Sequence, residues 1–242
     1  MPNTRKPVDV DQLIDQPLFA QLDAHRIDEI ARGGWLVREK RGVRIIGRGD
    51  NLDGMFLVTE GNLKLYMLSC NGDERVLRVL QPGDSFGEVI MFNQLPSPVY
   101  VDTLSPVSLA YFPSDVINSA LVSDPRFTAT MLRSMSALMR NMITDLETCC
   151  LQSALQRTAS YLLRSAEASP PPHDKIRLPA PKAVVASTLN ISAETFSREL
   201  HRLRGLGLIQ IAKRTIHLCD RDSLVRIAEG GEPAASLRNL PH

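Results

Sequence analysis

Glu194, Ser197, Arg198 and His201 recur at three- and four-residue intervals, so a helix advancing roughly 100° per residue carries them on one face. Their types suit the edges of base pairs. An arginine fork reaches two acceptors of guanine, a glutamate accepts from the amino group of cytosine, and a hydroxyl adapts to either. Thr195 and Arg202 flank that face, while Phe196, Leu200 and Leu203 fall on the other side, where they can dock the helix on a core. Ser192 is the natural N-cap and Gly205 or Gly207 the stop. Upstream, Lys182 to Leu189 spells a short helix joined to the second by Asn190-Ile191-Ser192. Helix, tight turn and amphipathic helix make a helix-turn-helix.

Taken alone, the stretch is equally explained by an ordinary helical hairpin. Its sequel separates the two. The run from Leu208 to Ala212 and the run from Thr215 to Leu218 are β-type and flank Lys213-Arg214, the pattern of a wing whose basic tip reaches phosphate.

The elements that position this helix lie upstream. The 242 residues are 43% hydrophobic and carry a net charge of +1, enough apolar content for two modest cores and no global signal for nucleic acid or membrane. Local charge says more: from Pro170 to His242 there are eleven Lys/Arg against seven Asp/Glu, with Arg198, Arg202, Arg204, Lys213 and Arg214 around the proposed reading helix. No apolar run is long enough for a membrane span and the start lacks an apolar leader, so a cytoplasmic protein is expected. Cys70, Cys149, Cys150 and Cys219 show no zinc spacing and are expected as reduced thiols. No nucleophile elbow, metal-ligand spacing or phosphate-binding loop is present, which argues against an enzyme.

Between Gly42 and Gly87, eight of the fourteen glycines punctuate short β-type runs, VRII, MFLVT, LKLYML and RVLRVL, and a further run spans Val99 to Phe112. This predicts an antiparallel β-roll, with Asn71-Gly72 supplying the positive φ angles of one hairpin. Short helices are expected before it, from residue 8 to 32, and from Ser114 to Val122 after it. From Arg126 to about Leu151, Met131, Leu138 and Asp145 recur every seven residues, as do Met135, Met142 and Cys149. The two sets interleave into an a/d seam, which predicts a two-stranded coiled coil between copies of the chain, with Asp145 a source of like-charge repulsion. A single amphipathic helix lying on its own domain is the alternative. The expected division is residues 1–124 for the roll, 125–152 for the dimer helix, 153–228 for the winged helix-turn-helix and 229–242 for a polar tail, an α+β fold overall.

The order of roll, long helix and winged helix-turn-helix resembles the CRP/FNR superfamily of bacterial transcription regulators over about residues 17–228. Pro82-Gly83-Asp84-Ser85-Phe86-Gly87-Glu88 is similar to that family's turn at the effector pocket, Gly61-Asn62-Leu63-Lys64 to one of its strands, and Glu194-Thr195-Phe196-Ser197-Arg198 to its reading segment. The resemblance implies a homodimer that reads a palindrome in double-stranded DNA and touches RNA polymerase. Ser197 with Glu194 and Arg198 resembles the FNR-type reader of TTGAT-N4-ATCAA sites, whereas the cyclic-AMP branch has Gly at position 197 and Arg at 193. The candidate effector pocket comprises Gly87, Glu88, Pro98, Val99, Met142 and Ile143. In the cyclic-AMP branch the last four positions hold an Arg-Ser pair and a Thr-Ser pair; here they offer no charge and no side-chain donor, which argues against cyclic AMP. No cysteine precedes Cys70, so the iron-sulfur centre of the oxygen-sensing branch is excluded. The nearest resemblance is the Dnr/Nnr-type branch, which implies nitric oxide as signal and haem as cofactor, with His25 as a candidate axial ligand. The competing class is a sensor, of cyclic-nucleotide type or another, that acts on a protein partner instead of DNA.

Overall fold

The computed structural model describes residues 6–169, 171 and 173–231. Contacts divide the chain into two units, Met1–Asn141 and Met142–His242. The boundary falls inside the long helix, so that helix is not a separate body.

The first unit runs β1 (Lys6–Pro7), a 3-10 turn (Val10–Gln12), α1 (Ala24–Gly33), β2 (Trp35–Glu39), β3 (Arg44–Ile46), β4 (Gly54–Glu60), β5 (Leu63–Leu68), β6 (Glu74–Leu80), β7 (Ser85–Phe86), α2 (Glu88–Asn93), β8 (Tyr100–Thr103), β9 (Val107–Pro113), α3 (Ser114–Ser123) and α4 (Pro125–Leu151). Two antiparallel sheets form the roll, one ordered β1-β2-β9-β4-β7 and the other β3-β8-β5-β6. Strand β4 shows why both faces of the first sheet are apolar. Phe56 and Val58 point between the sheets with Leu63, Leu80, Val101 and Leu109, while Met55 and Leu57 point the other way, against Ile27, Phe112, Ile117 and Phe127. A period-2 strand covered on both sides reads as a continuous hydrophobic run, which is what MFLVT is. Each fully buried aliphatic or phenyl side chain is worth about 1.5–3 kcal/mol.

At Gly61 the chain turns from β4 to β5 with φ +81°, and a Cβ there would meet the Pro106 carbonyl oxygen at 2.2 Å. The hairpin between β5 and β6 stands where expected, but only Gly72 takes a positive φ, at +86°. Ser69 Oγ does the remaining work, accepting from Asn71 N at 3.2 Å and Asp73 N at 3.0 Å.

Helix α4 is preceded by Asp124, whose carboxylate accepts from Arg126 N at 2.8 Å. Phe127 and Met131 bury themselves in the roll's core, Met131 to 3% exposure. That anchoring sets the rotation of the helix and corrects the expected seam. Met131 is occupied by its own chain, Leu138 is half-buried, and Asp145 Oδ1 lies 3.6 Å from Arg164 Nη1 within the second unit. The exposed apolar stripe is instead Leu132, Met135, Met139, Met142 and Leu146, with Met139 at 64% and Leu146 at 66% exposure. Its spacing of three and four residues continues to Cys149. One of the two heptad sets therefore shifts by a single residue, because the roll claims the face that periodicity alone assigned to a partner.

The second unit holds the end of α4, then α5 (Ala154–Glu167), β10 (Lys175–Arg177), α6 (Lys182–Thr188), α7 (Ala193–Gly205), β11 (Ile209–Ala212), β12 (Thr215–Leu218) and α8 (Arg221–Ala228). Helix α5 opens with a capping box between Ser153 and Gln156, and β10-β12-β11 form a three-stranded sheet. No helix among the described residues is long and apolar enough to cross a membrane. The expected polar tail lies outside the described residues from position 232 onward.

Candidate nucleic-acid interface and effector pocket

Helix α7 is built to be held on one side and bare on the other. Ser192 Oγ accepts from Thr195 N at 3.0 Å and donates to Thr195 Oγ1 at 2.9 Å, closing the first turn. At the far end Gly207, at φ +73°, and Leu208 N donating to Leu203 O at 3.1 Å close the last turn. Phe196, Leu200 and Leu203 are fully buried, and Phe196 meets Tyr161 of α5 edge-on with centroids 6.4 Å apart. On the outer side Glu194, Arg198, His201 and Arg202 are exposed, with Ser197 and Thr195 half-exposed beside them. The six side chains expected to touch DNA thus occupy one helix. The wing supplies the other two: Lys213, at φ +55°, and Arg214 form the two-residue turn between β11 and β12, both exposed.

Of the expected effector pocket, Gly87, Glu88, Pro98 and Val99 belong to the first unit. Gly87, at φ +98°, caps α2, and a Cβ there would strike Leu52 Cδ2 at 2.6 Å, so glycine is required where β7 passes into α2. Glu88 follows. Its side chain is half-buried, and that burial pushes its pKa up, partly offset by a hydrogen bond with Ser85 and the charge of Arg78. Pro98 is exposed, and Val99 N is engaged by Ser97 Oγ at 3.3 Å. Met142 and Ile143 are exposed residues of the second unit. A cavity of about 440 Å³ lies elsewhere in the first unit, on its helical side, lined by Leu22, Arg26, Ile30, Val116, Ala120 and Phe127 among others.

These two geometries match known families. The cyclic nucleotide-binding domain family matches residues 36–124 and the Crp-like helix-turn-helix domain family matches 156–227, together about two thirds of the chain. The chain belongs to the CRP/FNR family. It is a CRP/FNR-type transcription regulator, similar to the anaerobic regulatory protein of Haemophilus influenzae, with 25% identity over 74% of this chain and 70% of that one. It is likewise similar to the transcriptional activator protein Anr of Pseudomonas protegens, with 25% identity over 88% of each chain. Among solved structures, FixK2 of Bradyrhizobium japonicum shares the fold with a TM-score of 0.72 at 18% identity, over 80% of this chain and 96% of that one. Relatives of the anaerobic-regulator type are prominent, and membership of the Dnr/Nnr branch is not established by them.

Three residues of this CRP/FNR regulator carry weight that its sequence did not announce. Arg78 pairs with Leu65 across β6 and β5, on the inner face of the roll, and its guanidinium is salt-bridged to Asp84. Arg78 thus sets a charged group near Glu88, already paired with a carboxylate. Arg157 donates from Nη1 to Leu189 O at 3.2 Å and Asn190 O at 3.1 Å, and from Nη2 to Cys149 O at 2.9 Å. One guanidinium thereby ties the end of α4 to the turn of the helix-turn-helix. Glu199 sits on the buried side of α7. Arg157 meets carbonyls 32 and 33 residues away, which spacing cannot announce, whereas Glu199 shares the three- and four-residue spacing of Phe196, Leu200 and Leu203, a signal that could have found it.

His25, the candidate axial ligand, faces away from the interior of the roll. Its side chain is 78% exposed on α1, 3.8 Å from Glu29. Among the described residues Cys70 is exposed too, and Met55 and Met91 are packed in the core against the helices. The residues present do not fit a haem inside the roll.

Glu88 yields a pH-dependent prediction. Because burial raises its pKa in the folded protein, the stabilisation it allows is complete below its unfolded value and is lost as pH rises through the folded value. Glu88→Gln should raise the melting temperature at about pH 7.5 and leave it unchanged near pH 4, measured by thermal unfolding across that range. Equal shifts at both pH values would show that the carboxyl is not desolvated.

Proposed function

We propose that two copies of this regulator pair along Leu132, Met135, Met139, Met142, Leu146 and Cys149 and present two α7 helices to successive major-groove half-sites of a TTGAT-N4-ATCAA-like palindrome. The observation that carries the reading is the capped, core-docked α7 with Glu194, Ser197 and Arg198 bare on its outer face, beside a wing tipped by Lys213 and Arg214. Arg198 makes a bidentate contact to guanine, Glu194 accepts from a cytosine amino group, and Thr195, His201, Arg202 and the wing hold phosphates. The name of the Pseudomonas protegens relative, a transcriptional activator protein, supports an output that activates transcription, and an activator bound at a promoter touches RNA polymerase.

The signal is a small molecule at the Gly87-Glu88 turn, and its binding changes how the long helices pair. A cyclic phosphate finds no free cation there: Pro98 has no donor, Val99 N is taken, and Arg78 is paired with Asp84. Nitric oxide, implied by the Dnr/Nnr resemblance, has no haem ligand set behind it in the roll. The surplus of bare basic side chains on α7 and the wing favours DNA over a protein partner as the output.

The test is a gel-shift titration of the full chain with a TTGAT-N4-ATCAA duplex and its scrambled counterpart. Preference for the palindrome by about a thousandfold or more, as specific readers show over non-specific DNA, is expected. Equal binding to both would replace this reading with that of a sensor acting on a protein.

A further inference from the structure

The reading helix carries one acidic side chain where its apolar neighbours dock. Glu199 lies between Phe196, Leu200 and Leu203 on the buried side of α7, and its side chain is only 9% exposed. A carboxylate taken from water in this way is costly unless paired. Its partners are two of the bare arginines. Arg198 Nε donates to Glu199 Oε1 at 3.3 Å, and Arg202 Nη1 stands 3.9 Å from Oε2, which has no hydrogen bond. Both arginines are otherwise exposed, Arg198 to 66% and Arg202 to 63%.

We propose that Glu199 is a positioning residue that sets base-pair selectivity by holding Arg198 and Arg202 from beneath. The inference rests on the DNA reading above and names how its key arginine is aimed. A flexible arginine reaches any phosphate; one tethered through Nε is left with its terminal nitrogens, which are the pair that matches guanine O6 and N7 end-on. The same carboxylate places a negative charge at the root of the phosphate-facing arginines. It therefore weakens sequence-independent binding while leaving the aimed contact intact, and selectivity is the difference between the two.

Glu199→Gln and Glu199→Leu in the full chain test this. Gln keeps the acceptor under Arg198 without the charge, and Leu fills the apolar site and removes both. Binding is measured by fluorescence anisotropy over a range of salt, using the palindrome, a version altered at the G·C pair of each half-site, and a scrambled duplex. Glu199→Leu should bind the scrambled duplex about tenfold more tightly, steepen the salt dependence by about one unit of log-log slope per protomer, and lose about tenfold in discrimination at the altered pair. Glu199→Gln should show the same change in salt slope and keep most of the discrimination. A merely structural carboxylate would lower affinity for all three duplexes together. Unchanged slope and unchanged discrimination in both variants, with circular dichroism showing native folding, would overturn the inference alone. A wild-type chain without preference for the palindrome would overturn the DNA reading and this inference with it.

Discussion

Met139→Glu will convert the regulator to a monomer in sedimentation and abolish selective binding to the palindrome while leaving both units folded. Met139 is 64% exposed in the single chain and lies in the middle of the stripe from Leu132 to Leu146. In a symmetric pair each substitution occurs twice. Removing a buried methionine costs about 2–5 kcal/mol, and two facing carboxylates add repulsion in a desolvated seam. Dimerisation should therefore weaken by about a thousandfold or more, and a palindrome read by one helix at a time loses the gain of simultaneous engagement. The register found here has its own discriminating variant. Asp145→Leu would strengthen pairing if Asp145 lay on the seam; with Asp145 turned toward Arg164 instead, the dimer constant should stay within about twofold. A stronger dimer from Asp145→Leu, or an unchanged one from Met139→Glu, would return the seam to the Met131 register.

Arg198→Ala should cost about 1–3 kcal/mol on the palindrome, roughly five- to 150-fold in affinity, and the loss should disappear when the guanine it reads is replaced. The basis is geometric. The side chain is exposed at the centre of the outer face of a helix fixed at both ends by hydrogen bonds and along its length by Phe196, Leu200 and Leu203. Removing the side chain deletes its base contact and its bond to Glu199 Oε1, while Phe196, Leu200 and Leu203 still hold the helix in place. Lys213→Ala and Arg214→Ala provide the contrast: each should weaken all duplexes alike and reduce the log-log salt slope by about one per protomer. If Arg198→Ala still selected the palindrome over scrambled DNA with full discrimination, the assignment of the reading face would fail.

The parts legible in the sequence are those governed by neighbours along the chain. A hydroxyl before an amphipathic run, a glycine after it and a basic turn between two β-type runs specify α7 and the wing locally, and Ser192, Gly207 and Lys213-Arg214 stand where that logic places them. The glycine-punctuated β-type runs, MFLVT among them, announced the roll, and the long helix follows from an uninterrupted helical run after Pro125. Heptad spacing also announced a seam, but spacing cannot say which of two adjacent stripes a helix spends on its own domain. Residues 131 and 132 differ by about 100° around the axis. The choice between them was made by Phe127 and Met131 entering a core assembled from α1, α3 and the first sheet. The same holds for the polar links. Arg157 reaches the carbonyls of Leu189 and Asn190 because folding brings together groups 32 and 33 residues apart, and Arg78 meets Asp84 across the turn that follows β6; Glu199, by contrast, shares the helical spacing of Phe196, Leu200 and Leu203, and that spacing already put it on the buried face. Local hydrogen-bonding and apolar period thus determined the elements and the exposed face of α7; tertiary packing decided which methionines of α4 stay exposed and which distant carbonyls Arg157 meets.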